Sequence, residues 1–508
     1  MCISQSIANR TIFILLLAIP GILAAFIHLW NPIGFPNGPS NDEGIYIRRA
    51  MHVLSGQGPQ ESSLYDHPYF LQLFLAGVLS LIGYPNSLHP SVGDVHSIEM
   101  LYLVPRILMG LLAVADTYLI YTISETRYSR SVAFIASILF AVMPITTWFL
   151  RRVWLEPIQL PFILTSILFA VFYTKNSIGK NKNKKGFPPI LLSGIFLGLA
   201  IFTKIPALTM IPLVGFLIYQ NNNNNNNNRK LKTLGLWFIP VILIPLIWPA
   251  YATYRGEFDL WLDGVLWQTH RGVQTLLSSL KYDFQIDPVL LSLGVAGLVF
   301  IAIKRDLFLL LWTIPFLMFL YLIGFVSQWH FLPIIPAACI AAARLINYLS
   351  NRIINRMVQK VLLSFIIISG IVIFGLTSST MIIATSDNFS YFEAASFVVQ
   401  YLHNDNNGNA DDNNKITVIS NPFYSWIPLD VFHLNHNYYV DYYNDIIPVK
   451  TKKVLLTVDP PLIDRLSHNQ AANPIQKIYN SNGTKRIAIF GQVSIYLYDN
   501  SITVLNSK

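Results

Sequence analysis

The chain has 508 residues, of which 53% are hydrophobic and 12% charged, whereas a soluble globular chain carries about 25% charged residues. That balance excludes an ordinary soluble domain and describes a protein that crosses a membrane repeatedly. The formal net charge of +9 is no nucleic-acid footprint, because most Lys and Arg fall in short connections between apolar runs, the positive-inside pattern of cytoplasmic loops.

In chain order, eleven apolar runs are long enough, or nearly so, to cross the bilayer core: 11–30, 101–123, 131–150, 157–174, 188–203, 205–220, 233–253, 288–303, 307–326, 330–348 and 361–384. The core to be crossed is about 30 Å thick. The first run has no clear small-residue cleavage site after it and reads as a retained span. Cys2 and Cys339 are the only cysteines, so neither a disulfide framework nor a Cys-based zinc site is available.

The firmest cytoplasmic anchor is the connection with Lys175, Lys180, Lys182, Lys184 and Lys185, supported by Arg229-Lys230-Leu231-Lys232, Lys304-Arg305, and Arg352, Arg356 and Lys360. Counting spans back from it puts Arg151 to Glu156 outside and the turn with Arg127 and Arg130 inside. Residues 70–84 are too short to span. With the N-terminus inside, they read as an interfacial or re-entrant helix on the outer face, and 31–100 becomes one external segment. Asn221–Asn228 is a polar homopolymer in a cytoplasmic loop, to which no function is assigned.

Beyond residue 385 apolar density falls. Short β-rich runs at Ile416–Ser420, Val454–Val458, Ile487–Phe490 and Val493–Tyr498, with a helix at 391–402, read as a small external α/β domain. The expected organisation is a polytopic α-helical domain over 1–384 and an extracytoplasmic α/β domain over 385–508. Sequons at Asn388 and Asn482 suit an external tail.

The chemistry centres on Asp42 and Glu43, directly behind the first span in Asn41-Asp42-Glu43-Gly44-Ile45-Tyr46. An acidic pair at a membrane surface can deprotonate a hydroxyl acceptor beside a lipid-borne donor; a solvated loop start is the bland alternative. The external cations Arg48, Arg49, Arg106, Arg151, Arg152, Lys204, Arg255, Arg271 and Lys281 break the positive-inside trend, and a lipid phosphate would hold them there. Lys204, between two short apolar runs, either binds that phosphate or snorkels to the headgroups. Glu156 either favours the start of its helix or pairs with Arg152, while the Arg151-Arg152 pair also suits a phosphate. His67, His270 and His330 show no i, i+4 metal spacing. No cofactor is expected, although carboxylates and phosphate together can hold a divalent ion.

These motifs resemble the GT-C class of membrane glycosyltransferases, specifically the dolichyl-phosphate-mannose protein mannosyltransferases (glycosyltransferase family 39) and their prokaryotic relatives. The resemblance covers roughly residues 10–350. It rests on Asp42-Glu43-x-x-Tyr46 with Gly56, Asp66-His67-Pro68, Pro105-Arg106, Arg152 through Glu156-Pro157, Gly198 through Thr203-Lys204, and Leu332-Pro333-Ile334-Ile335-Pro336. It implies a GT-C fold, a polyprenyl-phosphate sugar donor, Asp42 as general base with Glu43 beside it, and a donor site drawn from Lys204, Arg151, Arg152, Glu156, Arg106, Tyr46, Asp66 and His67. The implied partners are the lipid-linked donor, membrane lipids and a lipid, glycan or protein hydroxyl acceptor. The chain departs from the pattern in lacking a second proline after Pro68 and in carrying Glu156 where many relatives have Asp. The alternatives are a metal-dependent oligosaccharyltransferase-like enzyme and, from another class, a transporter or lipid flippase, against which stands the absence of repeated halves.

Overall fold

The computed structural model describes residues 17–499 apart from 37, 39, 62–64, 85, 89–92, 177–188, 221–226, 270, 272–273, 353–356, 359–360, 362–374, 384–387, 407–414, 436, 443–450 and 469–473. The beginning of the first expected span, most of the Lys-rich connection and of the Asn run, His270 and most of the last expected span lie outside the described residues. The rest forms helices α1 (Leu17–Leu29), α2 (Asn41–Leu54), α3 (Phe70–Leu81), α4 (Val95–Arg127), α5 (Arg130–Val142), α6 (Pro144–Phe149), α7 (Leu155–Asn176) and α8 (Pro189–Thr203). There follow α9 (Ile211–Gln220), α10 (Asn227–Leu243), α11 (Ile247–Tyr254), α12 (Phe258–Thr269), α13 (Leu276–Ile286), α14 (Pro288–Ile303), α15 (Leu307–Leu322) and α16 (Ile335–Asn351).

Three described helices are long and apolar enough to cross a membrane, Val95–Arg127, Leu155–Thr174 and Gln328–Asn351, with Lys230–Leu243 and Ile247–Tyr254 a fourth if that pair, bent by 41°, counts as one. The eleven expected spans are thus not reproduced as continuous long helices. The shortfall has a local cause: seven further apolar helices are 10–17 residues long, and prolines cut the runs. Pro240 and Pro245 flank the bend between α10 and α11, where a missing N–H and a ring clash break the helical ladder. α8 stops at Thr203, Lys204 is extended (φ −155°, ψ 128°), and a 3₁₀ turn over Ile205–Met210 follows, with Pro206 as its second residue. Residues 70–84 form α3, twelve residues long.

The chain divides into two compact units. The first comprises Met1–Trp30, Gly58–Phe74 and Ile107–Ile382. Its helices approach closely at small residues: a Cβ on Gly198 of α8 would stand 2.5 Å from the Pro240 carbonyl oxygen of α10. Ser166 of α7 and Ser193 of α8 exchange hydrogen bonds to each other's carbonyl oxygens at 2.8 and 2.9 Å, satisfying buried polar groups.

Asp283 of α13 and Asp287, which caps α14 by accepting from the Leu290 N–H at 3.0 Å, are both buried. Burial pushes the Asp283 carboxyl up to about 8 and that of Asp287 up to about 6. The folded protein therefore keeps a proton on Asp283 that the unfolded chain releases near its ordinary value of about 3.9. Stability from this group is full below that value and falls as pH rises toward 8. Asp283→Asn should melt at a higher temperature than the parent, by a margin that widens from pH 6 to pH 8; parallel pH profiles in thermal melts would refute this.

The second unit comprises Asn31–Gln57, Leu75–Arg106 and Ile383–Lys508. Its five-stranded sheet has the order β2-β1-β3-β5-β4, formed by β1 (Ile416–Ser420), β2 (Tyr438–Asp441), β3 (Lys453–Val458), β4 (Thr484–Phe490) and β5 (Val493–Asp499). β1 lies parallel to β2 and β3, while β5 runs antiparallel to β3 and β4. β1 is buried along its whole length and β3 nearly so, as expected of parallel strands covered on both faces. Gly491, at φ +50°, makes the tight turn between β4 and β5. Helix α17 (Asn388–Asn406) begins earlier and ends later than the expected 391–402. β2 carries no sequence signal, because its four residues beside an Asn-rich stretch, three half-buried and one buried, show no alternation.

Candidate active site

In the second unit the acidic pair opens α2. Ser40 is the N-cap residue, and its N–H donates to Glu43 Oε2 at 3.0 Å, closing a capping box that fixes where the helix begins. Asp42 is partly exposed, whereas Glu43 is fully buried. Arg106 of α4 grips both Glu43 oxygens, Nε to Oε1 at 2.8 Å and Nη2 to Oε2 at 2.7 Å. Its Nη1 donates to the carbonyl oxygens of Pro32 and Ile33 at 3.1 and 3.3 Å. A fork-to-fork pair of this kind holds direction as well as charge. It ties together α2, α4 and the loop before α2, and it leaves Asp42 as the accessible member of the acidic pair.

Behind α2 the helix face is closed by aromatic groups. Trp426, at the end of α18 (Pro422–Trp426), donates its indole N–H to Tyr102 Oη at 3.1 Å. Gly44 lies so close that a Cβ there would stand 2.6 Å from the indole nitrogen and 3.1 Å from Tyr102 Oη. The residue after the acidic pair is glycine because nothing larger fits. Tyr46 is buried, and Arg48 faces Asp430 at 3.9 Å.

In the first unit, Lys204 and Glu156 form a buried ion pair. Gln159, one helical turn beyond Glu156, donates to the carbonyl oxygens of Lys204 at 2.5 Å and Ala200 at 3.2 Å. These bonds satisfy acceptors at the broken end of α8. Glu156, which the sequence offers to Arg152 or to its own helix start, goes to Lys204. Arg151 caps the end of α1, donating from Nη1 to the Ile27 carbonyl at 2.5 Å and from Nη2 to that of Trp30 at 2.6 Å. Arg152 lies 5.4 Å over the ring of Trp154, which packs 4.8 Å from Trp329.

Asp66 and His67 are half-buried; Asp66 Oδ1 accepts from the His67 N–H at 2.9 Å, and Gln268 donates to the Asp66 carbonyl at 2.8 Å. His330 Nδ1 accepts from the Ser327 N–H at 3.0 Å. Lys204, His67 and Arg271 all lie near enough to His330 to act on it electrostatically. Arg271 is held 4.5 Å over Trp267 and 5.0 Å over Phe325. One group of cationic and imidazole side chains thus forms beside the break in α8. His330 and Arg271 appear in the sequence as a scattered histidine and one of many external cations. Only helix packing brings them to Lys204. Among the described residues, no three or more His, Cys, Asp or Glu side chains are grouped to hold a metal ion.

A sequence model of the family described as dolichyl-phosphate-mannose-protein mannosyltransferase matches residues 95–248. The fold is similar to that of the archaeal oligosaccharyltransferase AglB from Archaeoglobus fulgidus, solved with an inhibitory peptide and a dolichol-phosphate. The TM-score is 0.58 at 12% identity, over 96% of this chain and 74% of that one. It is also similar to ArnT from Cupriavidus metallidurans bound to undecaprenyl phosphate, with a TM-score of 0.57 at 12% identity over 96% of this chain and 98% of that one. The protein has the GT-C fold of membrane glycosyltransferases. No curated protein sequence matches the chain. The GT-C likeness extends to ArnT in the apo state, at a TM-score of 0.54 and 12% identity over 97% and 99% of the two chains.

Proposed function

We propose that this GT-C protein is a multi-pass hexosyltransferase that moves a mannose-like sugar from a polyprenyl-phosphate to a hydroxyl acceptor on the outer face of the membrane. The reading rests above all on the group formed by Lys204, Arg271 and His67 around His330 at a break in an apolar helix. Glu156 offsets Lys204, while Arg271 adds further positive charge among the apolar helices, which is costly unless another anion is bound there; a lipid phosphate supplies one. The acceptor chemistry falls to Asp42. Its carboxylate takes the hydroxyl proton as the acceptor oxygen attacks the anomeric carbon opposite the phosphate, with inversion. The bond from that carbon to the phosphate oxygen breaks, the electron pair leaves with the lipid phosphate, and the cations hold the charge. Glu43, gripped by Arg106, positions the first turn of α2 and takes no proton.

Purified protein incubated with a panel of polyprenyl-phosphate sugars should deplete one lipid-linked sugar, read by mass spectrometry. Depletion of none of them would sink the reading. Consumption of a lipid-linked oligosaccharide instead, abolished by a chelator, would favour the oligosaccharyltransferase-like alternative.

Lys204 needs a paired test, because Lys204→Met alone leaves Glu156 buried without its cation and damages folding. In Lys204→Met/Glu156→Gln both charges are gone, and folding should approach that of the parent. Donor affinity should nevertheless fall by about 1.5–3 kcal/mol, the worth of a hydrogen bond to a charged group, measured by titration with polyprenyl phosphate. Parental affinity in the double variant would reduce Lys204 to a structural partner of Glu156.

A further inference from the structure

α14 and α16 touch most closely at Gly297, where the Ala341–Ala342 backbone leaves no room for a Cβ. Three residues earlier the contact is less tight but still close, and a Cβ on Gly294 would stand 3.3 Å from the methyl of Ala338. With these two helices, α13, α5 and the 3₁₀ turn Gln328–Ile334 enclose a cavity of about 260 Å³. Leu139, Leu290, Leu298, Leu317 and Phe331 are among the apolar side chains that line it. One acid breaks this lining. Asp283 is 1% exposed, borders the cavity, and its Oδ1 has no hydrogen-bond partner among the described residues. A buried carboxyl oxygen without a donor is a destabilising feature that a ligand hydroxyl would relieve.

We propose that this cavity binds an aliphatic alcohol, its chain among the leucines and its hydroxyl donating to Asp283 Oδ1. A dry apolar cavity of about 150 Å³ holds benzene, so this one takes a longer chain, roughly eight to ten carbons. The head is neutral for two reasons. With Asp283 protonated, a phosphate or fatty-acid carboxylate would bury a charge with no countercharge, and an ammonium would either do the same or draw the proton off Asp283 and bury an ion pair whose desolvation offsets its attraction. Val295, also part of the lining, is 54% exposed, which gives the chain an apolar way in. The cavity shares no lining residue with the group of Lys204, Arg271, His67 and His330, so the proposal stands or falls independently of the sugar-transfer reading.

The test uses full-length protein in lipid nanodiscs and a ten-carbon alcohol carrying an aliphatic diazirine. After photolysis, label should appear in peptides covering Leu290–Leu298 and Ile334–Cys339. 1-Decanol should compete about three- to tenfold better than decane, the range of one neutral hydrogen bond, and better than decylamine or decanoate. Ala338→Trp should fill the cavity and abolish labelling, while Asp283→Leu should keep labelling but erase the preference for decanol over decane. Label elsewhere, equal competition by decane, or a preference for the amine or the acid would each overturn the proposal. The order of head groups is measured on the parent protein, so the decision survives even if a variant fails to fold.

Discussion

Asp42→Asn is expected to lower sugar transfer by roughly 10²–10⁴-fold, the usual contribution of a positioned general base, while the affinity for polyprenyl phosphate stays at the parental level. The amide keeps the shape of the side chain and its hydrogen-bonding reach but has no basic lone pair to take the acceptor proton. The position of the residue supports the role: Asp42 is partly exposed on the first turn of α2, whereas its neighbour Glu43 is buried with both oxygens bound by Arg106. The comparison is made in single-turnover assays, with acceptor saturating, so that chemistry rather than binding is read. An Asp42→Asn enzyme with parental transfer rates would end the general-base assignment and return Asp42 to an ordinary helix-start acid.

Breaking the Glu43–Arg106 pair should act on stability first. Both side chains are essentially fully buried, at 0% and 1% exposure. Removing one charge leaves the other in an apolar surrounding, at a cost of about 3–5 kcal/mol. Arg106→Met should therefore unfold at markedly lower temperature or denaturant concentration than the parent. Arg106→Met/Glu43→Gln should recover part of the loss, because no isolated charge remains. The recovery should not extend to transfer, since α2 loses the grip that orients its first turn. An Arg106→Met protein of parental stability would show that Glu43 is not held as described. Full transfer in the double variant would mean that Asp42 needs no support from this pair.

Much of the second unit was legible locally. β1, β3 and β5 announce themselves as apolar runs bounded by polar stretches, and they appear at Ile416–Ser420, Lys453–Val458 and Val493–Asp499. The short apolar run after residue 69 ends as a twelve-residue helix, α3. Hydropathy was less informative about the first unit. A run such as 188–220 reads as two spans, but how α8 ends, turns extended at Lys204 and resumes as a 3₁₀ turn depends on proline placement and on the acceptors that Gln159 satisfies from α7.

By itself, the sequence determined the membrane character of the protein, because 12% charge over 508 residues cannot cover a soluble surface. The acidic start of α2 is likewise local, because Ser40 and Glu43 close a capping box within one turn, a signal that the reading of Asp42 and Glu43 as an acidic pair did not use. Only the tertiary structure decided which acid is buried and which cations have partners. Glu43 meets Arg106 across 63 residues and Glu156 meets Lys204 across 48, and Arg271 and His67 reach His330 through the packing of separate helices. The physical reason is range: periodicity and capping are encoded within a turn or two of helix, whereas an ion pair forms where helices far apart in sequence happen to pack. It is that packing, not the local pattern, that leaves Asp42 partly exposed and holds Lys204 against Glu156.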